Sequence, residues 1–561
     1  MRLFNITRIK MAKAFLLCLF VFMSCSAMAE KHTDIRIGIS QYPSTLHPLF
    51  DDMVAKSYVL GMSLRPVTVH DTNWKPVCML CTELPSFENG LAKRKDKGIS
   101  ATYKIRDDAF WGDGTPVTVK DIIFAREVGM HPQSGVGNAE FFAKDIAGID
   151  TVDDKTFTIR FAKEKCDFAS INDFYPLPAH LERKLFEKDP ATYRSRTLYN
   201  TDPANPGLYW GPYRIAKVEP GAALTLARNA YWKGKAPAFD NITVKTIENS
   251  ASLAANLLSG DIDYIAGELG IALDQALSFE KRLNALHPDD FSTTYKPGLT
   301  YEHIDLNLDT SMFKDKQLRQ ALMFGMNRQA INDTFFAGKQ PIATTDINPL
   351  DEVYAQNTLT YPYDPKKAET LLEETGWKKG ADGLRANAKG EKLSITILTT
   401  AGNKSRETIL QAIIADWRKI GVDAKMETQS PRVLFGDTMR VRSFRGGAMY
   451  AWMSAPRNVP RTTLHSKMIP SAANNYAGQN YAGYASTTMD KTIDDLEIVC
   501  APKENQALWA KLQSLYADDL PALPLYYRAD AYFIPAWLKG LVPTGHMHPT
   551  TLWIENWTVS E

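Results

Sequence analysis

Leu393-Ser394-Ile395-Thr396-Ile397 opens a stretch, closing at Glu427, whose reading decides the fold. Leu393, Ile395 and Ile397 alternate with polar residues, the period of a strand with one covered face. Ile409, Ala412, Ile413, Trp417 and Ile420 then recur at intervals of three and four, which places them on one helical face, and Gly421 stands where such a helix stops. Val422, Ala424 and Met426 alternate again. A strand-helix-strand crossover of this kind joins parallel strands, so the segment belongs to an α/β lobe.

Working outward, other element ends are equally marked. Thr118 with Asp121 three residues on is a capping-box pattern ahead of Ile122-Ile123-Phe124. Asp364 before Pro365 supplies a helix cap and a first-turn proline, Ala368, Leu371 and Leu372 form the apolar stripe, and Gly376 ends it. Strand-like alternation appears at Ile35-Ile37-Ile39 and Phe157-Ile159-Phe161. Mixed elements without a dominant repeat exclude solenoids and coiled coils. With 44% hydrophobic and 11% aromatic residues over 561 positions, the chain can build large cores and more than one lobe.

The first 29 residues read as a cleavable secretory leader: Arg2, Arg8, Lys10 and Lys13, an apolar run from Ala14 to Met23, then Ala27-Met28-Ala29 before Glu30. Met11 offers a second start that leaves a shorter leader of the same design. The apolar run is about half the roughly 20 residues that span a bilayer. Cleavage after Ala29 gives a soluble periplasmic protein. Processing at Cys25 would give a lipid-anchored one, but Phe22-Met23-Ser24 lacks the usual Leu, so the soluble form is expected. Losing the leader removes four basic and no acidic side chains and moves the formal charge from +1 to −3, which leaves no basic field for nucleic acid or anionic lipid. Four cysteines remain: Cys78, Cys81, Cys166 and Cys500. Cys78-Met79-Leu80-Cys81 has redox or half-zinc-site spacing, but no second Cys or His pair follows at zinc-site spacing, so a local disulfide or two buried thiols is expected.

A series of motifs in fixed order then identifies the chain's relatives. They are Trp111-Gly112-Asp113-Gly114-Thr115-Pro116, Gly211-Pro212-Tyr213, Asn229-Ala230-Tyr231-Trp232, Gly260-Asp261-Ile262-Asp263, Leu318-Arg319-Gln320-Ala321, Tyr363-Asp364-Pro365 and Pro521-Ala522-Leu523-Pro524-Leu525-Tyr526-Tyr527. Together they resemble the peptide/nickel family of ABC-importer solute-binding proteins, which includes the oligopeptide and dipeptide binders, over nearly all of the mature chain. The resemblance implies an α/β, two-lobed periplasmic-binding-protein fold of the type II, Venus-flytrap kind with an enlarged N-terminal lobe. Lobe I would take residues 30–296, with an inserted subdomain, and the C-terminal return 524–561; lobe II would take 297–523. The first hinge crossing is expected in the turn-rich Tyr295-Lys296-Pro297-Gly298 and the return near Pro521 to Pro524. Cys166 and Cys500 then fall in different lobes, and no bond between them is expected.

The implied function is capture of a peptide or peptide-like solute for an inner-membrane ABC permease, by a monomer without cofactor or metal. A non-peptide cargo such as a metal chelate, sugar acid or modified oligomer is the alternative within that role, and a periplasmic hydrolase the alternative outside it. Against the hydrolase, Ser311-Met312-Phe313-Lys314 matches a Ser-x-x-Lys pattern without its companion motifs, and no nucleophile elbow, zinc helix, Walker loop or dinucleotide turn occurs. His546-Met547-His548 offers two imidazoles but no closed metal site, and reads as a solvated strand end. Trp111 to Pro116 reads as a rigid turn into the Thr118 helix.

The expected ligand floor is Ala448 to Arg457. Tyr450 and Trp452 alternate, which puts both rings on one strand face as rigid plates for a varied solute. Oligopeptide and dipeptide binders carry, shortly after this tryptophan, an aspartate that pairs with the peptide ammonium. Here Met453-Ser454-Ala455-Pro456-Arg457 has no carboxylate, so that anchor is not carried over; Ser454 and Arg457 stand in its neighbourhood. Of Arg440, Arg442 and Arg445, Arg442 is the candidate to receive a carboxylate bidentately, on a strand face shared with Arg440. Asn480, in the turn-rich Asn474 to Tyr484, either bonds ligand or braces its loop. His47, in Thr45-Leu46-His47-Pro48, occupies the family's Leu-Asp-Pro position and is the candidate from lobe I.

Overall fold

Two long strands, paired with each other, tie the molecule together. The computed structural model describes residues 32–560 except 52, 96–97, 137–138, 140, 173, 432, 475 and 477. The expected leader, with Cys25 and Ala29, and Asn475 and Ala477 of the turn-rich loop lie outside the described residues. Ten strands form the large sheet: β1 (Asp34–Ile39), β2 (Tyr213–Glu219), β3 (Ala223–Arg228), β4 (Asn241–Thr246), β5 (Tyr264–Ile265), β6 (Phe291–Leu306), β7 (Ser394–Thr400), β8 (Asp423–Gln429), β9 (Gly447–Met453) and β10 (Ala522–Pro535), in the spatial order β8-β7-β9-β6-β10-β5-β1-β4-β3-β2. Five helices recur below: α1 (Val119–Met130), α2 (Pro365–Glu374), α3 (Lys404–Lys419), α4 (Thr487–Ile498) and α5 (Pro502–Asp519).

The Leu393 to Glu427 segment folds as its periodicity requires. β7 and β8 are parallel neighbours, and α3 crosses between them with Ile409, Ile413 and Trp417 at or near zero exposure, each such burial contributing about 1.5–3 kcal/mol. Trp417 Nε1 donates to the Leu322 carbonyl at 2.9 Å, which satisfies the one polar atom of that ring. Gly421 takes φ +88°, the left-handed stop that only glycine adopts cheaply. The Asp121 carboxylate accepts from the Thr118 N–H at 2.8 Å at the start of α1, and Asp364 caps α2 by accepting from the Lys367 N–H at 2.9 Å.

Packing divides along the same sheet. One core gathers β1 to β4 and a separate antiparallel four-stranded sheet, Ala92–Lys95, Gly98–Lys104, Thr156–Phe161 and Ile146–Thr151 in that spatial order, inserted between β1 and β2. A second core gathers β7, α2 and α3, and a further cluster holds α4 against α5. β6 and β10 run through both territories. The expected turn at Tyr295 to Gly298 is absent: β6 is one strand there, irregular only in its register with β10 between Pro297 and Tyr301. A chain break is unnecessary because the Gly298 carbonyl accepts from Asn348 Nδ2 at 2.5 Å and the Leu299 N–H donates to the Gly545 carbonyl at 3.0 Å.

Cys78 and Cys81 form a local disulfide. The expectation for Cys166 and Cys500 is overturned, since the two are bonded. Cys166 follows the strand Thr156–Phe161, and Cys500 sits in the link from α4 to α5. Belonging to different cores did not keep them apart, because surfaces of the two cores meet at this point, and periodicity reports which core a residue feeds, not where surfaces approach. Among the described residues no helix is long and apolar enough to cross a membrane.

Candidate functional site

Alternation along β6 sends its side chains to opposite faces of the sheet, and a hollow lies on each. Glu302, with Tyr526 and Arg528 from β10, lines a cleft whose far wall is built by Ser40, Val54 and the Gly267 to Asp274 segment, and whose near wall includes Gln340 and the start of α3 at Asn403 and Arg406. These walls come from both halves of the sheet. The cleft encloses ≈ 560 Å³, the size of an ordinary small-solute site.

Charge in the cleft is organised around Glu302. Its carboxylate, 1% exposed, accepts from Arg528 Nη2 at 2.6 Å and Nε at 2.9 Å, and is paired with Arg406 on its other oxygen. Burial works to raise the Glu302 carboxyl, and the two guanidiniums overcome it and hold the pKa below the ordinary glutamate value. Two other acids nearby are less fully compensated. Burial pushes Glu268 up; Thr550 N–H reaches its Oε1 at 2.8 Å, while Oε2 is shielded without a hydrogen bond. Burial, and then the Glu268 charge, push Asp530 up to about 7.

On the opposite face Tyr301, His303 and Asp305 of β6 and Tyr450 and Trp452 of β9 line a smaller cavity, closed over by Asp346, Tyr481 and Tyr516. It encloses ≈ 50 Å³, enough for a few waters or one small head group. Its rings are fixed by their polar ends: Tyr301 and Tyr516 hydroxyls bond at 2.7 Å, Tyr450 OH donates to Asp305 Oδ2 at 2.5 Å, and the Tyr301 and His303 rings stack at 4.8 Å. Burial raises the Asp305 carboxyl, opposed by His303, whose Nε2 lies 3.6 Å from Oδ1.

Of the residues singled out in the sequence, Tyr450 and Trp452 share a face and line this cavity. The other five are placed elsewhere. Ser454 Oγ turns to the Ala455 carbonyl at 3.5 Å. Arg457 pairs with Glu352, and its backbone N–H donates to Asp351 at 2.7 Å. Arg442 lies in a turn after the single-turn segment Val433–Met439, with φ +55°, so the strand shared with Arg440 does not exist. Its guanidinium is held by Asp309 at 2.9 Å and the Tyr481 carbonyl at 2.9 Å. Asn480, buried, donates to the His465 and Tyr484 carbonyls and accepts from the Tyr484 N–H, which braces its loop. His47 has no exposed surface, stacks on Phe50 at 4.0 Å and is pushed well below the ordinary histidine range by burial. His546 and His548 are buried too, not solvated, with His546 Nε2 on the Asp71 carbonyl at 2.8 Å.

The residues missed were Glu302, Arg406 and Arg528 in the cleft and His303, Asp305 and Asp346 in the cavity. Tyr301-Glu302-His303-Ile304-Asp305 carried a usable signal for three of these positions, because polar and aromatic residues at every second place of a strand inside a large core mark a lined hollow. Asp346 stands in a loop and offered none.

Comparison with known proteins agrees with this architecture. Residues 86–467, more than half of the chain, match the family described as bacterial extracellular solute-binding proteins, family 5. The chain is 24% identical to the oligopeptide-binding protein AppA of Bacillus subtilis over 512 residues, covering 90% of this chain and 88% of that one. It is similar to the crystal structure of an oligopeptide-binding protein from Thermus thermophilus complexed with a pentapeptide, at 26% identity and a TM-score of 0.70 over 94% of this chain and 96% of that one. NikZ of Campylobacter jejuni, solved with Ni(L-His), shares the fold at 21% identity and a TM-score of 0.72, over 94% of this chain and 99% of that one.

Proposed function

The chain belongs to the family 5 bacterial extracellular solute-binding proteins, and from that premise we propose that it captures a peptide or peptide-like solute between two lobes and hands it to an inner-membrane ABC permease. The observation that carries the reading is the cleft across the paired strands β6 and β10, walled by both halves of the sheet. Such a solute touches both walls only when they are shut, so its differential affinity moves the open and closed populations. Residues 30–296 and 524–561 form lobe I and 297–523 lobe II in this reading, with the two long strands as the hinge. The protein acts in the periplasm after loss of its leader, as a monomer, and releases its cargo unchanged.

A non-peptide cargo is the second reading. It is favoured by the run Met453-Ser454-Ala455-Pro456-Arg457, which offers no carboxylate in the neighbourhood where peptide binders of the family carry the ammonium-pairing aspartate. Native mass spectrometry of the purified protein separates the two by the mass of the co-purified molecule. A peptide ladder is expected; a single non-peptide mass would replace the first reading with the second. Recovery of cleaved products from an intact peptide supplied in excess would refute both in favour of hydrolysis.

A further inference from the structure

Arg528 is held by Glu302 along one edge only. Its Nε and Nη2 donate to Glu302 Oε2 at 2.9 and 2.6 Å, and its Nη1 makes no hydrogen bond among the described residues. The side chain is 39% exposed where it lines the cleft. A guanidinium carries its N–H donors in a flat fork, so a carboxylate on one edge fixes the plane and leaves the other edge for a second acceptor. Arg406 has no such freedom: its side chain is buried, its Nη1 donates to Thr400 Oγ1 at 2.7 Å and its Nε pairs with Glu302. It contributes charge instead. Two guanidiniums stand against one ionised carboxylate here, while the nearby acids lean toward neutral, Asp530 pushed up to about 7 and Glu268 raised by burial. Asp274, the remaining acid of the lining, lies in the first turn of the helix Leu273–Leu286, whose dipole offsets its charge. Asn403 and Ser405 at the start of α3 line the wall beside Arg406 and add the positive end of that helix. The balance around Arg528 is therefore positive.

Resting on the solute-capture reading above, we propose that the open edge of Arg528 receives a carboxylate of the cargo, with Glu302 as the residue that orients the guanidinium. Two parallel N–H···O bonds with full charge on both sides favour a carboxylate over a neutral carbonyl. Arginine stays cationic at any working pH, so the contact needs no titration of its own. The position lies on the sheet face opposite Trp452 and is independent of the segment after it. Two sources share this chemistry, the C-terminal carboxylate of a peptide and the carboxylate of a small non-peptide acid.

The test uses the full-length mature protein and three probes: a random tri- to hexapeptide mixture lacking Asp and Glu, the same mixture C-amidated, and citrate. Binding is followed by calorimetry and thermal stabilisation in the wild type and in Arg528→Lys, which keeps a charge beside Glu302 and gives up the flat fork. The expected result is that the free-acid mixture binds the wild type about tenfold or more tightly than the amide, and that Arg528→Lys removes most of that ratio. A ratio unchanged in the variant would place the carboxylate elsewhere and refute the site. If acid and amide bind the wild type alike, the site is refuted and the peptide reading survives. If citrate alone binds and Arg528→Lys weakens it, the site stands and the peptide reading falls; if the variant leaves citrate unaffected, both fall. If no probe binds the wild type, both fail as well. Should the variant not fold, modification of Arg528 by phenylglyoxal in the wild type, mapped by mass spectrometry, decides the matter: the free-acid mixture is expected to protect it, and an unchanged rate at saturation would overturn the proposal.

Discussion

Cys166 and Cys500, 334 positions apart in the chain, are joined by a disulfide that connects the loop after the inserted four-stranded sheet to the link between α4 and α5. Those two loops flank different hydrophobic clusters. In the proposed hinged reading, this bond would limit how far the cleft walls separate. Closing so long a loop also removes disorder from the unfolded chain, and its loss costs about 2–5 kcal/mol. Cys500→Ser is expected to lower the melting temperature and to increase the radius of gyration of the ligand-free protein in small-angle scattering. Identical scattering from the variant and the wild type would mean that the bond does not restrain opening.

Glu302 holds two guanidiniums at the centre of the cleft, so its neutral isostere is expected to be disruptive. Glu302→Gln leaves Arg406 and Arg528 without their counter-charge, at a cost of about 3–5 kcal/mol. The pH dependence has a fixed sign. Because the folded pKa of Glu302 lies below its ordinary value, its stabilisation is fully present above the unfolded value of about 4.3 and disappears as pH falls through the folded one. Urea unfolding should show a large deficit for the variant at pH 7 and a much smaller one at pH 3. A deficit independent of pH would point to packing in place of charge.

Sequence reading reached the fold further than it reached the site, for a physical reason. Burial in a helix or strand leaves a period, so Ile395, Ile413 and Trp417 announced their faces, and Tyr450 and Trp452 their shared one. Pro297 and Gly298 read as a turn in the sequence, but β6 continues through them as one extended strand, the two residues absorbed by an irregularity in its register with β10. Arginines were the least legible. Arg406, within a helical stripe, serves the cleft, while Arg442 and Arg457, picked by proximity, are committed to Asp309 and Glu352. Nothing in a sequence tells which carboxylate a long flexible side chain will find. His47 shows the converse, since a polar residue in a loop motif is here fully buried.

Asp346 should make the ligand-free protein less stable as pH rises. Burial pushes its carboxyl up to about 7, so between about pH 4 and 7 the folded state keeps a proton that the unfolded state releases, and stability falls across that window. The groups facing it are Tyr301, Tyr516, Tyr527, His303 and Asp305. Asp346→Asn is accordingly expected to raise stability by about 1–3 kcal/mol at pH 8 and to leave it unchanged at pH 4. Equal melting shifts at both pH values would show that the carboxylate bears no such cost.

Arg442 tests whether the basic turn before β9 belongs to the site or to the scaffold. Asp309 and the Tyr481 carbonyl, both at 2.9 Å, and the Ala482 carbonyl at 3.3 Å already occupy its guanidinium. Gly483 is shaped around it, for at φ +75° a Cβ there would stand 1.9 Å from the Arg442 Nη2. The arginine and the turn that ends at Tyr484 are thus one unit, and the side chain can meet a ligand carboxylate only by abandoning a charged partner and two carbonyls. Arg442→Ala is expected to cost about 2 kcal/mol of stability through those lost charge-assisted bonds. Ligand binding should weaken, if at all, equally for an acidic solute and its amide. A loss confined to the acid, with the melting temperature unchanged, would mean that the guanidinium leaves Asp309 and turns toward the ligand.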